Sequence, residues 1–328
     1  MDRRKQEEIF KKRPLLIFGN EKRIEPNSMG FKYCSEIIIE EGVEEIGGWA
    51  FTCSVVDSAT IPSTVKKIEE NPFPHTHIYD VKCESPYYTV KDDMLIENET
   101  MRLVSFVGLD RYSGRNPWER AESHRPCGQS GEYVSMFYTF RVPSYIKVLG
   151  EGCFRGRVLD RIIIPETVEK ILQNPFVECS AEIVNHSPNY LLEKGLLTEL
   201  ATNTLLAYVG HDKDIIVPEG VEVIEGSAFE LLEYGVNSIK LPRTIKEIRD
   251  NFAEGCGLKH IYVPEDREDY FRELLPQYND MISVASMAER EDVAAEPVSD
   301  YAIKIEPRKK NESDAAGAET VPRQKRRR

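Results

Sequence analysis

The sequence predicts a mainly β fold, a solenoid in which short strands stack turn upon turn. Three observations predict it. Six segments share one frame, in which an apolar-x-apolar step and a Pro are followed by two further apolar positions and a Phe. Two longer segments, which begin at Ser85 and Ser187, lie in register 102 residues apart. The Phe residues recur every 22 or 23 residues, in the pairs Phe51 and Phe73, Phe154 and Phe176, and Phe229 and Phe252.

Each repeat is one solenoid turn. A period of 22 or 23 residues is too short for paired-helix repeats and falls in the leucine-rich-repeat range of about 20 to 29 residues. In the segment IIIPETVEKILQNPF, a strand places Ile162 and Ile164 inward and Ile163 outward. The following Pro ends that strand because it cannot donate to a ladder. The apolar side chains that return along the other side are Val168, Ile171 and Phe176.

The segments SPYYTVKDDMLIENETMRLVSF and SPNYLLEKGLLTELATNTLLAY contain strand, turn and strand signals, so we interpret them as β-excursions between pairs of turns. The segment Leu15 to Gly19 corresponds to the last strand of such an excursion. The second large unit carries 28 extra residues, which places an insertion at 110–137.

The IxIP frame, the NPF tripeptides at Asn71 and Asn174 and the SPYY segment resemble the BspA-like leucine-rich repeats common in bacteria. The resemblance covers about residues 15 to 283, and the segment from Ile261 is similar to the terminal cap of that family. It implies a β-rich curved solenoid used mostly for binding, in a family with many exported members. The departures are Glu40 and Asn251, where a Pro is missing, and the insertion.

A short C-terminal capping helix also follows from the residues themselves. Asp266 is a candidate N-cap, and Pro276 closes the helix. The apolar stripe that would cover the last turn consists of Tyr270, Phe271, Leu274 and Leu275.

The ends of the chain differ from its body. Residues 1–14 form a charged N-terminal segment, and the composition of residues 284–328 predicts a disordered basic tail. Residues 301–328 hold nine of the 43 basic and only four of the 56 acidic residues, so the body is strongly acidic. Two basic groups are typical of a bipartite nuclear-import signal or a polyanion-binding tail, or form a solubilising terminus: Lys309, Lys310, Lys325, Arg326, Arg327 and Arg328.

No apolar run is long enough to span a membrane, and the run near the start has four residues. The seven cysteines include no CxxC pair and are expected to be reduced thiols. Together these features predict a cytoplasmic location.

A partner-binding surface is predicted from the residue that points outward between the two buried positions of each strand. This column is Ile38, Thr60, Asp80, Arg141, Ile163, Glu182, Ile216, Lys240 and Tyr262. It is more apolar than a water-facing strand requires. The insertion adds residue types that dominate binding hot spots, among them Tyr112, Arg115 and Trp118. Two alternatives remain: excursions or insertion cover this face, or the insertion is a loop without a partner.

Catalytic signals are weak. His75 and His77 could bind a metal but favour a turn, and His124 with Cys127 lacks a third partner. The cysteines that recur near the Phe position, Cys53, Cys153, Cys179 and Cys256, predict buried packing thiols. No metal, cofactor or catalytic residue is predicted. We therefore expect a non-catalytic protein-interaction scaffold. The alternatives are a nucleic-acid or nuclear-targeted factor acting through the tail and, less favoured, an enzyme using the insertion.

Overall fold

The computed structural model describes residues 15–28, 34–52, 55–107, 139–230, 232 and 235–284. The predictions for the segment 1–14, for the insertion and for the tail beyond Val284 lie outside the described residues. They include those for Tyr112, Arg115, Trp118 and the six basic tail residues.

The described chain forms three solenoid units joined by two β-meanders. The first unit contains β1 (Leu15–Phe18), β2 (Arg23–Ile24), β3 (Glu36–Ile39), β4 (Glu45–Ile46), β5 (Val55–Ile61), β6 (Lys67–Ile68) and β7 (His77–Cys83). The first meander contains β8 (Tyr88–Lys91), β9 (Met94–Glu97) and β10 (Arg102–Phe106). The second unit contains β11 (Thr139–Arg141), β12 (Val148–Leu149), β13 (Val158–Ile164), β14 (Lys170–Ile171) and β15 (Ser180–Asn185). The second meander contains β16 (Tyr190–Glu193), β17 (Leu196–Glu199) and β18 (Thr204–Tyr208). The third unit contains β19 (Asp214–Ile216), β20 (Val223–Ile224), β21 (Ser238–Lys240), β22 (Glu247–Ile248), β23 (His260–Val263), helix α1 (Glu268–Leu274) and β24 (Ile282–Val284).

The strands of the turns lie on two sides. The apolar-x-apolar strands form three parallel sheets with the orders β1-β3-β5-β7, β11-β13-β15 and β19-β21-β23-β24, which we call the long-strand side. The two-residue strands form the short-strand side, together with the meanders, in the orders β2-β4-β6, β14-β12-β10-β9-β8 and β16-β17-β18-β20-β22. The apolar residues of both sides meet between them.

The predicted inward ladder is confirmed, because each of its residues is at most 3% exposed. The ladder consists of Ile39, Ile61, Val142, Ile164, Val217, Leu241 and Val263. The six repeat Phe residues are also buried, and their rings contact one another in pairs, two pairs stacked and the pair Phe229 and Phe252 edge to face. The centroids of Phe51 and Phe73 are 5.3 Å apart, and those of Phe154 and Phe176 are 5.8 Å apart. Burying each ring contributes about 1.5 to 3 kcal/mol, which one isolated turn cannot provide.

The inner strands of the two meanders are largely buried on both faces, whereas the outer strands β8 and β16 are exposed at alternate positions, so each meander forms a partition between two units. In the first meander, Leu95 and Val104 pack against the core of the first unit, while Met94 and Leu103 pack against that of the second. Strand β18 is buried at every position. Each meander therefore belongs to two neighbouring cores and holds them together.

The Asn residue of each NPF tripeptide joins two units. Asn71 Oδ1 accepts a hydrogen bond from the Phe73 N–H at 2.9 Å, and its Nδ2 donates to the Gly152 carbonyl at 2.7 Å. Asn174 repeats this geometry with the Phe176 N–H and the Ser227 carbonyl, both at 2.9 Å. The amide accepts with one atom and donates with another, so a single Asn side chain reaches both backbone groups.

The SPYY and SPNY motifs pair the exposed backbone of the last turn in a unit. The Tyr88 and Tyr190 hydroxyls accept hydrogen bonds from the N–H groups of Ile68 and Ile171 at 2.6 and 2.7 Å. Ser85 Oγ donates to the Val65 carbonyl at 2.6 Å, and Ser187 makes the equivalent bond. These side chains replace the backbone partners that a further turn would supply.

The C-terminal cap is present, but one detail of the prediction is wrong and one strand was not predicted. Phe271 and Leu275 are buried against the third core, as predicted, and Tyr270 and Leu274 pack at its edge. Asp266 does not cap the helix; it lies in the 3-10 turn Glu265–Arg267 and forms an ion pair with Arg243. Strand β24, which pairs parallel with β23, was not predicted.

The first strand also differs from the prediction. The segment Leu15–Phe18 pairs parallel with β3 on the long-strand side, where Phe18 lies opposite Ile39. It is therefore the strand of the first turn and not the last strand of an excursion. The error arises because a Phe follows an apolar run in both contexts.

Candidate interaction surface

The seven predicted contact residues of the long-strand side face away from the core. Strand pairing aligns Ile38 with Thr60 and Arg141 with Ile163. The aligned residues, which we call the contact column, are Ile17, Ile38, Thr60 and Lys82 in the first sheet, Arg141, Ile163 and Val184 in the second, and Ile216, Lys240, Tyr262 and Ser283 in the third. Ile17, Lys82, Val184 and Ser283 are members that the sequence analysis missed.

Two members of the predicted column, Asp80 and Glu182, lie elsewhere. Lys82 is the residue opposite Thr60, and Val184 is the residue opposite Ile163. The two carboxylates lie two residues earlier on their strands, on the same face but outside the column. The prediction placed Asp80 20 residues after Thr60 and Glu182 19 residues after Ile163, whereas the repeat advances by about 22 residues. The Phe period would have identified Lys82, which follows Thr60 by 22 residues.

The contact column leaves apolar surface accessible. The exposed fractions of Ile17 and Ile216 are 58% and 48%, while Ile38, Ile163 and Tyr262 are half-buried. The meander strands pair on the short-strand side, so the described part of the meanders does not extend the sheets that carry this column. The alternative in which the excursions form a cover over this face is therefore not supported.

A second column of outward residues flanks the first. Its members precede those of the contact column by two residues on the same strand. This flanking column consists of Glu36, Ser58, Asp80, Thr139, Arg161, Glu182, Asp214, Ser238 and His260. Glu182 forms an ion pair with Arg161 at 2.5 Å. Hydrogen bonds from Ser238 and Asn237 lower the pKa of Asp214. The two columns therefore differ in charge: the flanking column holds four carboxylates, and the contact column holds none.

A cluster of charged side chains lies near the repeat Phe positions on another edge of the turns. This acidic corner consists of Glu70, Glu151, Glu178, Glu225, Glu230 and Arg155. Arg155 contacts all three units. Its Nε lies 3.1 Å from Glu178, its Nη2 lies 3.2 Å from Glu230, and its guanidinium lies 4.6 Å from the centroid of the Trp49 ring.

Burial and mutual repulsion perturb the acidic corner. Burial, with repulsion from neighbouring carboxylates, raises the pKa of Glu151 to about 7. Burial likewise raises the pKa of Glu70 and Glu230, while the Arg155 charge opposes the shift. A cation at this position therefore offsets charges that the fold brings together.

The predicted turn at His75 is present, and its imidazole joins the acidic corner. His75 Nε2 lies 2.5 Å from Glu178 Oε2, and this hydrogen bond lowers the pKa of Glu178. The His75 imidazole packs against Gly156, whose φ is +71° and where a Cβ would lie 2.1 Å from His75 Nδ1. The sequence therefore needs Gly at this position. Within the described residues, no group of three or more His, Cys, Asp and Glu side chains is arranged to hold a metal ion.

The recurrent cysteines pack as small side chains. Cys153 and Cys256 are buried in the cores, as predicted, and Cys179 packs at the edge of the second core. Burial raises the pKa of the Cys153 thiol well above its ordinary value and that of Cys179 to about 12. Deprotonation to the reactive thiolate is therefore disfavoured at both positions. Cys53 lies outside the described residues.

The repeating turns, their buried ladder and the parallel long-strand sheets define a leucine-rich-repeat solenoid. A family model described as the BspA type leucine rich repeat region matches in six copies, over residues 19–107, 133–192 and 206–286. The chain belongs to this family. Repeat solenoids of this kind serve generally as non-enzymatic scaffolds, because stacked turns present an extended surface.

Three solved structures are similar to the chain. A leucine rich cell surface protein from Faecalibacterium prausnitzii is 18% identical with a TM-score of 0.45, over 86% of this chain and 66% of that protein. The pneumococcal vaccine antigen PcpA is 16% identical with a TM-score of 0.38, over 83% of this chain and 68% of that protein. A leucine-rich repeat protein from Eubacterium ventriosum is 17% identical with a TM-score of 0.37, over 70% of this chain and 60% of that protein. The chain thus spans about two thirds of the first of these proteins.

The comparison with curated proteins found no match. Among the described residues, no helix has the length and apolar character that crossing a membrane would require.

Proposed function

We propose that this protein is a non-catalytic scaffold that binds a protein partner through the contact column and the 110–137 insertion. The observation that carries the proposal is the in-register placement of exposed aliphatic side chains, with Ile17 and Ile216 about half exposed. Apolar side chains held in register on an open sheet face favour contact with a partner over contact with water.

The geometry favours an extended partner. The contact column crosses three sheets, and neighbouring strands in a sheet lie about 4.8 Å apart. A partner that follows the column can contact all three units at once. The insertion leads directly into β11, where Thr139 belongs to the flanking column and Arg141 to the contact column. The chain connection thus supports a role for the insertion at this site.

A double substitution tests the column. Ile163→Lys with Tyr262→Lys should weaken capture of the partner from the native host at least about tenfold, because contact residues at an interface centre dominate affinity. The matched control is Leu191→Lys with Leu200→Lys, which changes two apolar residues that are 47% and 50% exposed outside the column. Both variants should melt close to the parent protein. Undiminished capture by a folded double variant would contradict the proposal.

Two further variants separate the insertion from the tail. Trp118→Ala in the insertion should reduce partner affinity at least about tenfold if this residue is a hot spot. Removal of residues 305–328 should leave capture intact and insensitive to salt, since tail-driven binding would weaken steeply with ionic strength. Loss of capture on removing the tail would instead place binding in the basic segment.

We also propose a cytoplasmic location. Its support is that four cysteines in the described part of the chain, Cys83, Cys153, Cys179 and Cys256, are free thiols, a state suited to a reducing compartment. Protease treatment of intact host cells tests this directly. Digestion of the protein on intact cells would contradict a cytoplasmic location.

A further inference from the structure

The two outward columns of the long-strand side carry opposite charges. The contact column contains Lys82, Arg141 and Lys240 and no carboxylate. The flanking column contains four carboxylates, Glu36, Asp80, Glu182 and Asp214, and one cation, Arg161, which pairs with Glu182, so its balance is acidic. Acidic residues outnumber basic ones in the body of this protein, yet the eleven residues of the contact column include no carboxylate. The column therefore differs in charge from the surface around it.

The cations of the contact column are placed to meet a partner. The Lys82 side chain is 68% exposed, and its Nζ lies 3.8 Å from Asp80, at the limit of an ion pair. Arg141 is exposed, and Lys240 is half-buried. Each of the three sheets supplies one cation, so charge is distributed along the whole column.

Aliphatic side chains of the contact column lie on either side of these cations, and three of them lie between Arg141 and Lys240. Ile38 shares a sheet with Lys82, Ile163 and Val184 follow Arg141, and Ile216 precedes Lys240. A ligand that fits this column therefore presents both carboxylates and aliphatic groups to it. A protein segment supplies both kinds of side chain from one extended backbone.

The flanking carboxylates disfavour a nucleic acid at this face. They lie two residues away along each strand, a distance of about 6.6 Å, which is shorter than the Debye length at physiological salt. A phosphate backbone carries a charge on every nucleotide and would face both columns, whereas a peptide can direct its carboxylates to one side only. The charge pattern thus discriminates between the two ligand classes.

We propose that the contact column accepts an extended acidic protein segment, whose carboxylates pair with Lys82, Arg141 and Lys240 and whose aliphatic side chains pack on the isoleucines. The proposal rests on the proposed function and deepens it by naming the chemistry of the partner. The binding contribution of the cations should decrease as salt rises, since the pairs lie near the surface.

A phage library of random dodecapeptides, selected on the immobilised full chain, provides the test. We expect selected peptides to contain more Asp, Glu and aliphatic residues than the starting library. A synthetic selected peptide should bind at least about tenfold more weakly to the variant K82E/R141E/K240E, since three charge pairs become repulsive. The neutral variant K82Q/R141Q/K240Q should show a smaller loss, and it serves as the test if the first variant does not fold.

The control variant is K147E/K170E/K246E, which makes the same charge change on the short-strand side, where two of the lysines form exposed ion pairs. It should bind the peptide as the parent protein does. A lack of enrichment, enrichment without excess acid, or equal loss in both charge-reversal variants would each overturn the proposal. So would tighter column-dependent binding of a single-stranded oligothymidylate of twelve nucleotides. If the peptide test fails while Ile163→Lys with Tyr262→Lys still abolishes partner capture, the scaffold function stands and only the acidic partner is wrong.

Discussion

Substitution of the NPF asparagines should uncouple neighbouring solenoid units. Asn174 is 2% exposed, and its amide bonds both the Phe176 N–H and the Ser227 carbonyl. Asn174→Ala leaves the buried Phe176 N–H without its acceptor, and the Ser227 carbonyl keeps only the hydrogen bond from the Glu230 N–H at 3.2 Å. The unsatisfied N–H costs about 1 to 3 kcal/mol and the lost bond to the carbonyl about 0.5 to 1.5 kcal/mol, so we expect the free energy of unfolding to fall by about 1.5 to 4.5 kcal/mol.

Urea denaturation followed by circular dichroism measures the total loss, and hydrogen exchange locates it. In Asn174→Ala, amide protection should fall most in the third unit, whereas in Asn71→Ala it should fall most in the first. The matched control is Asn189→Ala, which removes only an exposed hydrogen bond to the Glu169 carbonyl, 3.2 Å long. That control should change stability by less than about 1 kcal/mol.

A loss below about 1 kcal/mol for both buried asparagines would refute this reasoning, since it would mean that the Phe N–H groups find other acceptors. A uniform loss of protection across all three units would also refute it. In that case the three units would unfold together as one cooperative block, and the Asn hydrogen bonds would not stabilise the contact between particular units.

Two further substitutions test the core and the acidic corner. Phe176→Ala should lower the free energy of unfolding by about 3 to 5 kcal/mol in urea denaturation through cavity formation, and an unchanged melting curve would show that the Phe ladder is not the core. Its control, Tyr87→Ala, truncates an aromatic side chain that is 49% exposed and should cost far less. Because the pKa of Glu151 is raised to about 7 from 4.5, the folded state holds its proton more tightly than the unfolded state, and stability falls as pH rises through that window. Glu151→Gln should flatten this fall in thermal melts between about pH 5 and pH 8; an equal fall in parent and variant would contradict it.

The sequence was sufficient to predict the turns, their inward ladder and the cap, because one buried pattern repeats in every turn. Ile164 and Phe176 each lie where the two-residue and 22-residue periods place them. The meanders were less predictable, since their apolar residues are interpreted equally well as an outward hairpin or as an internal partition. Only the packing of Leu95 and Met94 against different cores distinguishes the two.

The contact column was predicted in part for a similar reason. Outward residues are free to vary, so their register depends on counting from buried neighbours, and a step of two residues exchanged Lys82 for Asp80. The acidic corner was missed because its residues come from distant turns. Arg155, Trp49 and Glu230 are separated by the two meanders, and no local spacing reveals that they meet.

A chain of hydrogen bonds made by the NPF asparagines runs through all three units without a break. It leads from Trp49 through Asn71, Gly152 and Asn174 to Ser227. On the long-strand side, by contrast, the described strands form three separate sheets. The solenoid is therefore joined continuously along this hydrogen-bond chain and divided into three sheets on the long-strand side. If the solenoid bends, the hydrogen-bond chain resists the deformation, and the gaps between neighbouring long-strand sheets change in width. A ligand that contacts two neighbouring long-strand sheets holds the gap between them at one width, so its binding makes the solenoid stiffer along its length.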